Sequence, residues 1–156
     1  MAKTQKRALQ DYFDHNCWGC GPKNRRGLHV KSFWSEELNG LLCKWAPKPN
    51  HASGPNMLNG GVIFTLMDCH SIMAAVACAY KNEGREFGTE PHIWFVTKEA
   101  KLTFSKPTPL DTVELQAIVQ HMEGRIAHVS CTLYSQGIKR AEMALEAIRV
   151  PAHWRE

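Results

Sequence analysis

The chain has 156 residues, of which 44% are hydrophobic and 22% charged, and a formal net charge of +4. These values are ordinary for one soluble globular domain with its own core, and the charge is too small and too dispersed to indicate a nucleic-acid-binding protein. The first ten residues are polar and lack the apolar segment of a secretory signal. We therefore expect a single cytoplasmic domain over residues 1–156, with its six cysteines as reduced thiols.

The predicted elements begin with a short helix over residues 3–14 and a loop of turn-forming residues at 17–22. Together they form an N-terminal segment, residues 1–27, that leads into the domain. Six strands are predicted after it, two before a long helix and four behind it, over residues 29–35, 41–46, 92–105, 112–122, 126–135 and 140–150. Tight turns join the last three strands, which therefore predict an antiparallel meander.

The long helix is predicted over residues 60–80, with Asn59 as its N-cap. It is apolar on every side, so other structure should enclose it. Asp68 and His70 near its middle argue against a membrane-spanning helix, and we expect no membrane partner. The element order predicts an α+β fold in which a curved antiparallel sheet of about six strands wraps one buried helix.

Asp68 is the first candidate for chemistry, because it is the only acidic residue between Glu37 and Glu83. An ionised carboxylate on a buried helix costs several kcal/mol unless it is hydrogen-bonded or used in a reaction. Ser71 lies three residues further on and could orient the carboxylate or a water molecule.

Three segments carry a resemblance to a known family: residues 17–28 (CWGCGPKNRRGL), 59–68 (NGGVIFTLMD) and 100–107 (AKLTFSKP). With the element order, they make the chain similar to the hotdog-fold acyl-CoA thioesterases, the group that includes phenylacetate-pathway and 4-hydroxybenzoyl-CoA thioesterases. The resemblance implies the hotdog fold and hydrolysis of an acyl-CoA thioester, with water as second substrate and no cofactor.

The resemblance also implies roles at the helix. Asp68 would act as nucleophile or as general base, and the backbone N–H of Gly60 or Gly61 would polarise the thioester carbonyl, as suits the positive end of a helix. Asn59 stands where the family usually has histidine, and it cannot titrate. Asp68 lies eight residues beyond Gly60, about 12 Å along the axis, so we expect a homodimer or a dimer of dimers with the site between subunits.

Further residues are candidates for substrate binding. Phe64, Met67 and Trp94 are expected to line the acyl pocket, while His51 and Asn56 lie in the loop before the helix and could approach the acyl group. Lys106, where the family has arginine before proline, and Arg125, beside a turn, are the candidates for phosphate contacts of coenzyme A.

Three alternatives remain open from the sequence. The first is a non-catalytic acyl-CoA-binding or regulatory module of the same fold, which Asn59 favours. The second is a hydratase or dehydratase of that fold, although such chemistry usually needs a histidine at the helix start. The third is a zinc module using Cys17, Cys20 and His15; no second C-x-x-C follows, so we expect a turn with buried thiols and no metal.

Overall fold

One long helix, α1 (Gly60–Asn82), lies at the centre of the fold. In this computed structural model, which describes residues 6 to 155, the strands are β1 (Phe33–Ser35), β2 (Gly40–Trp45), β3 (Ala52–Gly54), β4 (Met57–Leu58), β5 (Trp94–Phe104), β6 (Val113–Glu123), β7 (Ile126–Ser135) and β8 (Ile138–Val150). Six of them form an antiparallel sheet in the order β1-β2-β6-β7-β8-β5, and this sheet packs against α1. A separate short ladder pairs β3 with β4. The predicted α+β hotdog arrangement and the β6-β7-β8 meander are confirmed.

Both ends of α1 are closed by local sequence. Asn59 caps the start with its side-chain oxygen, which satisfies backbone N–H groups that have no partner inside a helix. At the other end Gly84 adopts φ +63°, and the N–H of Arg85 bonds to the carbonyl of Tyr80 at 2.9 Å. Glycine suits this left-handed position because it has no Cβ to clash.

Most of α1 is buried in the sheet, but one stripe is not fully covered. Phe64 is 39% exposed, and Asp68 and Ile72 are half-buried. These residues follow one another at intervals of four and therefore share a face. By length and composition alone α1 could cross a membrane, yet 72% of its most apolar window is buried inside the protein. The core helix of a soluble protein passes the same test.

A buried polar network joins the N-terminal segment to α1 and β2. His70 is fully buried, and its Nδ1 lies 2.7 Å from the Ser32 hydroxyl while its Nε2 lies 3.0 Å from the Leu41 carbonyl. Gln10 completes the network by donating to the Ser32 hydroxyl at 2.9 Å and accepting the Ser32 N–H at 2.8 Å. Burial lowers the pKa of His70 to about 4, so the ring is neutral and its two nitrogens have opposite hydrogen-bonding roles.

The structure corrects three sequence predictions before α1. The predicted helix over 3–14 is wrong in the described residues, which form only a 3-10 turn at Leu9–Tyr12; residues 3–5 lie outside the described part. The Leu9 N–H bonds to the Ser32 carbonyl rather than to a carbonyl within a helix. The first strand begins at Phe33 rather than residue 29, because His29 has φ +55°. The predicted loop to residue 58 contains the β3–β4 ladder, whose strands of three and two residues are too short to show a hydrophobic pattern.

The hydrogen-bond network leads to a stability prediction. Ser32→Ala leaves His70 Nδ1 and the Gln10 amide without their buried partner, so it should lower the free energy of unfolding by about 1–3 kcal/mol in urea titrations. Ser53→Ala, an exposed serine of β3, is the control and should change it by less than about 0.5 kcal/mol. Equal stability of the two variants would contradict the network's role.

Candidate active site

Asp68 is held by β5 and has no cationic partner. The Thr97 hydroxyl donates a hydrogen bond of 2.5 Å to Asp68 Oδ1, next to a register irregularity between Thr97 and Glu99; such bulges redirect side chains. Among residues 6 to 155 no ion pair involves Asp68. Burial raises the pKa of Asp68, and the Thr97 hydrogen bond offsets part of this effect. The carboxylate is less deeply buried than its sequence context predicts.

A cavity of about 200 Å³ opens beside Asp68. One wall comes from α1, with Ile72 and Met73, and another from β5, with Trp94 and Phe95. These walls are apolar, which suits the hydrocarbon part of a ligand whose polar group faces the carboxylate. Two larger surface depressions, of about 430 and 570 Å³, do not include Asp68.

Three cysteines meet at the same cavity. Cys17 and Cys20 come from the N-terminal loop and Cys69 from α1, and their sulfur atoms all lie within 4.8 Å of one another. Hydrogen bonds from the Cys20 and Cys69 thiols lower the pKa of Cys17. The contact with Cys17, together with burial, raises the pKa of Cys69 and brings that of Cys20 to about 12.

The start of α1 has one backbone N–H to offer a ligand. Asn59 Oδ1 accepts the N–H of Gly61 at 2.8 Å and that of Val62 at 3.1 Å. The Gly60 N–H makes no hydrogen bond in the part of the chain that the structure describes. The sequence predicts the N–H of Gly60 or Gly61 as oxyanion donor. Because the Gly61 N–H is already bonded to the Asn59 cap, only the Gly60 N–H is available for that role.

Gly60 and Asp68 face different depressions of a single chain. Gly60 and Lys106 line one of about 380 Å³ together with the half-exposed Phe104, whereas Asp68 lines the smaller cavity beside β5. The structure thus brings Lys106 to the helix start, and its phosphate-binding role stays a prediction. It does not bring Gly60 and Asp68 to one point within the chain.

The predicted acyl-pocket residues have mixed locations. Trp94 lines the cavity beside Asp68. Phe64 lies on the partly exposed stripe of α1, while Met67 is fully buried in the core and cannot contact a ligand without rearrangement. Ser71 is fully buried, and its hydroxyl makes no hydrogen bond to Asp68; Thr97 occupies the orienting position that the sequence assigns to Ser71.

Three further candidates lie away from Asp68. The His51 ring accepts the Lys48 N–H at 2.9 Å and lines a separate basic depression. Asn56 is an exposed turn residue with φ +59° between β3 and β4. Arg125 is exposed beside the β6–β7 turn and lines neither the Asp68 cavity nor the Gly60 depression.

The sequence did not predict that four residues lie beside Asp68: His15, which it offers only as a zinc ligand, and Cys69, Thr97 and Arg155. Of these, only Cys69 could have been predicted from the sequence, because it is the residue next to Asp68. The other three depend on contacts between distant segments. The Arg155 guanidinium, for example, stacks on Trp94 at 4.3 Å from the ring centroid.

A sequence model of the thioesterase superfamily matches residues 55–142. Among solved structures, a thioesterase superfamily protein from Shewanella loihica PV-4 is similar, with 27% identity, a TM-score of 0.66 and coverage of 91% of this chain and 99% of its own. The matched residues contain α1, Asp68 and Gly60, so the family signal and the candidate site coincide.

Two more distant structures share the fold. The PaaI protein from the phenylacetic acid degradation operon of E. coli has 15% identity and a TM-score of 0.64, and covers 80% of this chain and 81% of its own. A Streptococcus mutans UA159 protein, solved bound to acetyl CoA, has 16% identity and a TM-score of 0.59, and covers 72% and 82%. No curated protein matches the chain.

Proposed function

The chain belongs to the thioesterase superfamily, and on that premise we propose that it hydrolyses acyl-CoA thioesters with Asp68 as the reacting carboxylate. The observation that carries the proposal is a half-buried carboxylate that has no cationic partner in the described part of the chain and is held by Thr97 at the mouth of an apolar cavity. The Streptococcus mutans protein bound to acetyl CoA supports coenzyme A as the carrier.

Asp68 has two possible actions on the thioester. As a nucleophile it attacks the carbonyl carbon, the C–S bond breaks and coenzyme A leaves as its thiolate, and water then hydrolyses the resulting acyl-enzyme anhydride to the free acid and Asp68. As a general base it takes a proton from the attacking water. In both cases the carbonyl oxygen gains negative charge and needs a positioned N–H donor. The Gly60 amide, at the positive end of α1, is that donor in this proposal.

The reaction in this proposal needs two subunits. Gly60 and Asp68 lie about 12 Å apart along one rigid helix, too far to contact the same carbonyl group. A two-fold dimer solves this problem, because it brings the helix start of one subunit to the Asp68 of the other.

The edge strand β5 is the surface proposed for that dimer. It is 11 residues long, ends the sheet and has no partner strand on its outer side among residues 6 to 155. Long unpaired edges readily add another strand. Phe104, at its end, is 53% exposed and Phe64 on α1 is 39% exposed, so pairing here would also cover apolar surface. Thr97 lies on this strand, which puts the proposed interface next to Asp68.

Asp68→Asn provides the first test. It keeps the size and the Thr97 contact but removes the reacting carboxylate, so kcat on a panel of acyl-CoAs should fall at least about 10²-fold. Loss of thioester absorbance is the measurement, because thiol-trapping dyes would react with the native cysteines. Glu114→Gln, the same type of change at an exposed site on β6, is the control.

The outcomes separate the proposal from its rival. Wild-type turnover that is unaffected by Asp68→Asn would disprove the role of Asp68 but keep the activity. Saturable acyl-CoA binding without turnover in the wild type would favour a non-catalytic binding module. The capping role of Asn59 is compatible with such a module.

Gly60→Pro tests the oxyanion donor. Proline fits the first position of a helix but has no N–H, and Asn59 already has the extended backbone that precedes proline, with φ −64° and ψ 134°. We expect kcat to fall about 10²-fold with the melting temperature preserved. Gly60→Ala keeps the N–H, and its Cβ would lie 3.4 Å from Phe104, an ordinary contact. Equal activity of the two variants would contradict the role of the Gly60 amide.

A further inference from the structure

A cluster of three thiols lies beside Asp68, and the proposed hydrolysis does not use it. Cys17 and Cys20 belong to the C-x-x-C loop, and Cys69 comes from α1. The sulfur atoms of Cys17 and Cys69 are 3.7 Å apart, and all three lie within 4.8 Å of one another. None of the three forms a disulfide. Cys69 thus adds a third thiol to the two that the C-x-x-C pattern offers as metal ligands.

The spacing of the sulfur atoms fits a metal ion better than a disulfide. Zn–S bonds are about 2.3 Å long, so two thiolates on a tetrahedral zinc ion lie about 3.8 Å apart. The Cys17–Cys69 distance of 3.7 Å matches this value, and the Cys20 sulfur lies within 4.8 Å of both. A disulfide would pair two of the thiols and leave the third buried and unused, whereas one metal ion binds all three.

The backbone of the loop is built to face Cys69. A Cβ on Gly19 would lie 2.3 Å from the Cys69 sulfur, so only glycine allows the loop to come this close. The Gly21 N–H bonds to the Cys17 carbonyl at 2.7 Å, and the Val30 N–H bonds to the Gly19 carbonyl at 3.0 Å. These hydrogen bonds fix the turn that carries Cys17 and Cys20 on the side of α1.

The surroundings provide for a fourth ligand. His15 is 8% exposed, and its Nε2 has no hydrogen-bond partner among the described residues. Its Nδ1 accepts the Cys17 N–H at 3.4 Å, so the proton lies on Nε2, which is free to donate. His15 and the three cysteines line the same cavity. A water molecule bound to the metal could therefore accept a hydrogen bond from His15 Nε2. Arg155 lines the same cavity, and its positive charge would balance the single negative charge that three thiolates and a divalent ion leave.

We propose that Cys17, Cys20 and Cys69 bind one Zn²⁺ ion, with a water molecule from the cavity as the fourth ligand. The ion joins the N-terminal loop to α1 at the residue that follows Asp68. Its role is to hold one wall of the cavity in place, since three thiolate bonds tie the loop directly to α1. The hydrolysis proposed above does not depend on it.

Metal binding to the full chain provides the test. The protein is reduced, stripped with a chelator and titrated with Zn²⁺ against a chromophoric competitor, and Co²⁺ is then used to record thiolate-to-metal charge-transfer bands. We expect one metal per chain, and binding at least about 10²-fold weaker in Cys69→Ser. Cys78→Ser is the matched control, because Cys78 lies on the same helix but outside the thiol cluster, and its sulfur accepts a hydrogen bond from Asn82.

Three results decide the proposal. Stoichiometric binding with Co²⁺–thiolate bands that Cys69→Ser removes and Cys78→Ser preserves would support it. Binding that Cys69→Ser leaves unchanged, or no binding tighter than that of the competitor, would overturn it. If Cys69→Ser does not fold, Cys20→Ser provides the same comparison, and the wild-type melting temperature should rise on addition of Zn²⁺; an unchanged melting temperature would count against the site.

Discussion

The enclosure of α1 by the sheet is the constraint on which the rest of the structure depends. A helix with apolar residues on every side must lose contact with water over most of its surface, and five strands of the main sheet pack against it. The stripe through Phe64, Asp68 and Ile72 is only partly covered. A polar group on α1 can therefore meet a ligand there, and Asp68 is the acidic residue in that position. The same burial keeps His70 neutral inside a satisfied network.

The rigidity of α1 also determines what one subunit can do. The Gly60 amide and the Asp68 carboxylate are fixed about 12 Å apart, and the two face separate depressions. Neither side-chain rotation nor loop movement can bring them together. The edge strand β5 supplies Thr97 to Asp68 and leaves its outer side unpaired. In our proposal one strand thus both orients the carboxylate and joins the second subunit.

The parts of the fold with a strong local pattern could be predicted from the sequence. The span of α1 and the four strands after it follow from hydrophobic period and turn residues, and Asp68 follows from its isolation among apolar neighbours. Local pattern fails where distant contacts decide the conformation. His29 leaves the predicted strand because the segment that includes Val30 bonds to the Cys17–Cys20 loop.

The candidate site shows the same division. Thr97, His15 and Arg155 reach Asp68 only through the fold, and no spacing in the chain links them to it. Ser71 has the right helical spacing, but the packing of α1 buries its hydroxyl away from the carboxylate. Cys69, the third thiol of the cluster, is separated from Cys17 by 52 positions. The C-x-x-C pattern alone is therefore incomplete as a set of metal ligands.

A mixed dimer tests the central claim, that one reaction site combines Asp68 of one subunit with Gly60 of the other. Chains carrying Asp68→Asn and chains carrying Gly60→Pro are co-expressed with different affinity tags, and the heterodimer is isolated by both tags. Each parent homodimer lacks one component at both of its sites, whereas the heterodimer has one site with both components intact. The account predicts that the heterodimer recovers about half of the wild-type kcat per dimer. A heterodimer as inactive as its two parents would contradict it.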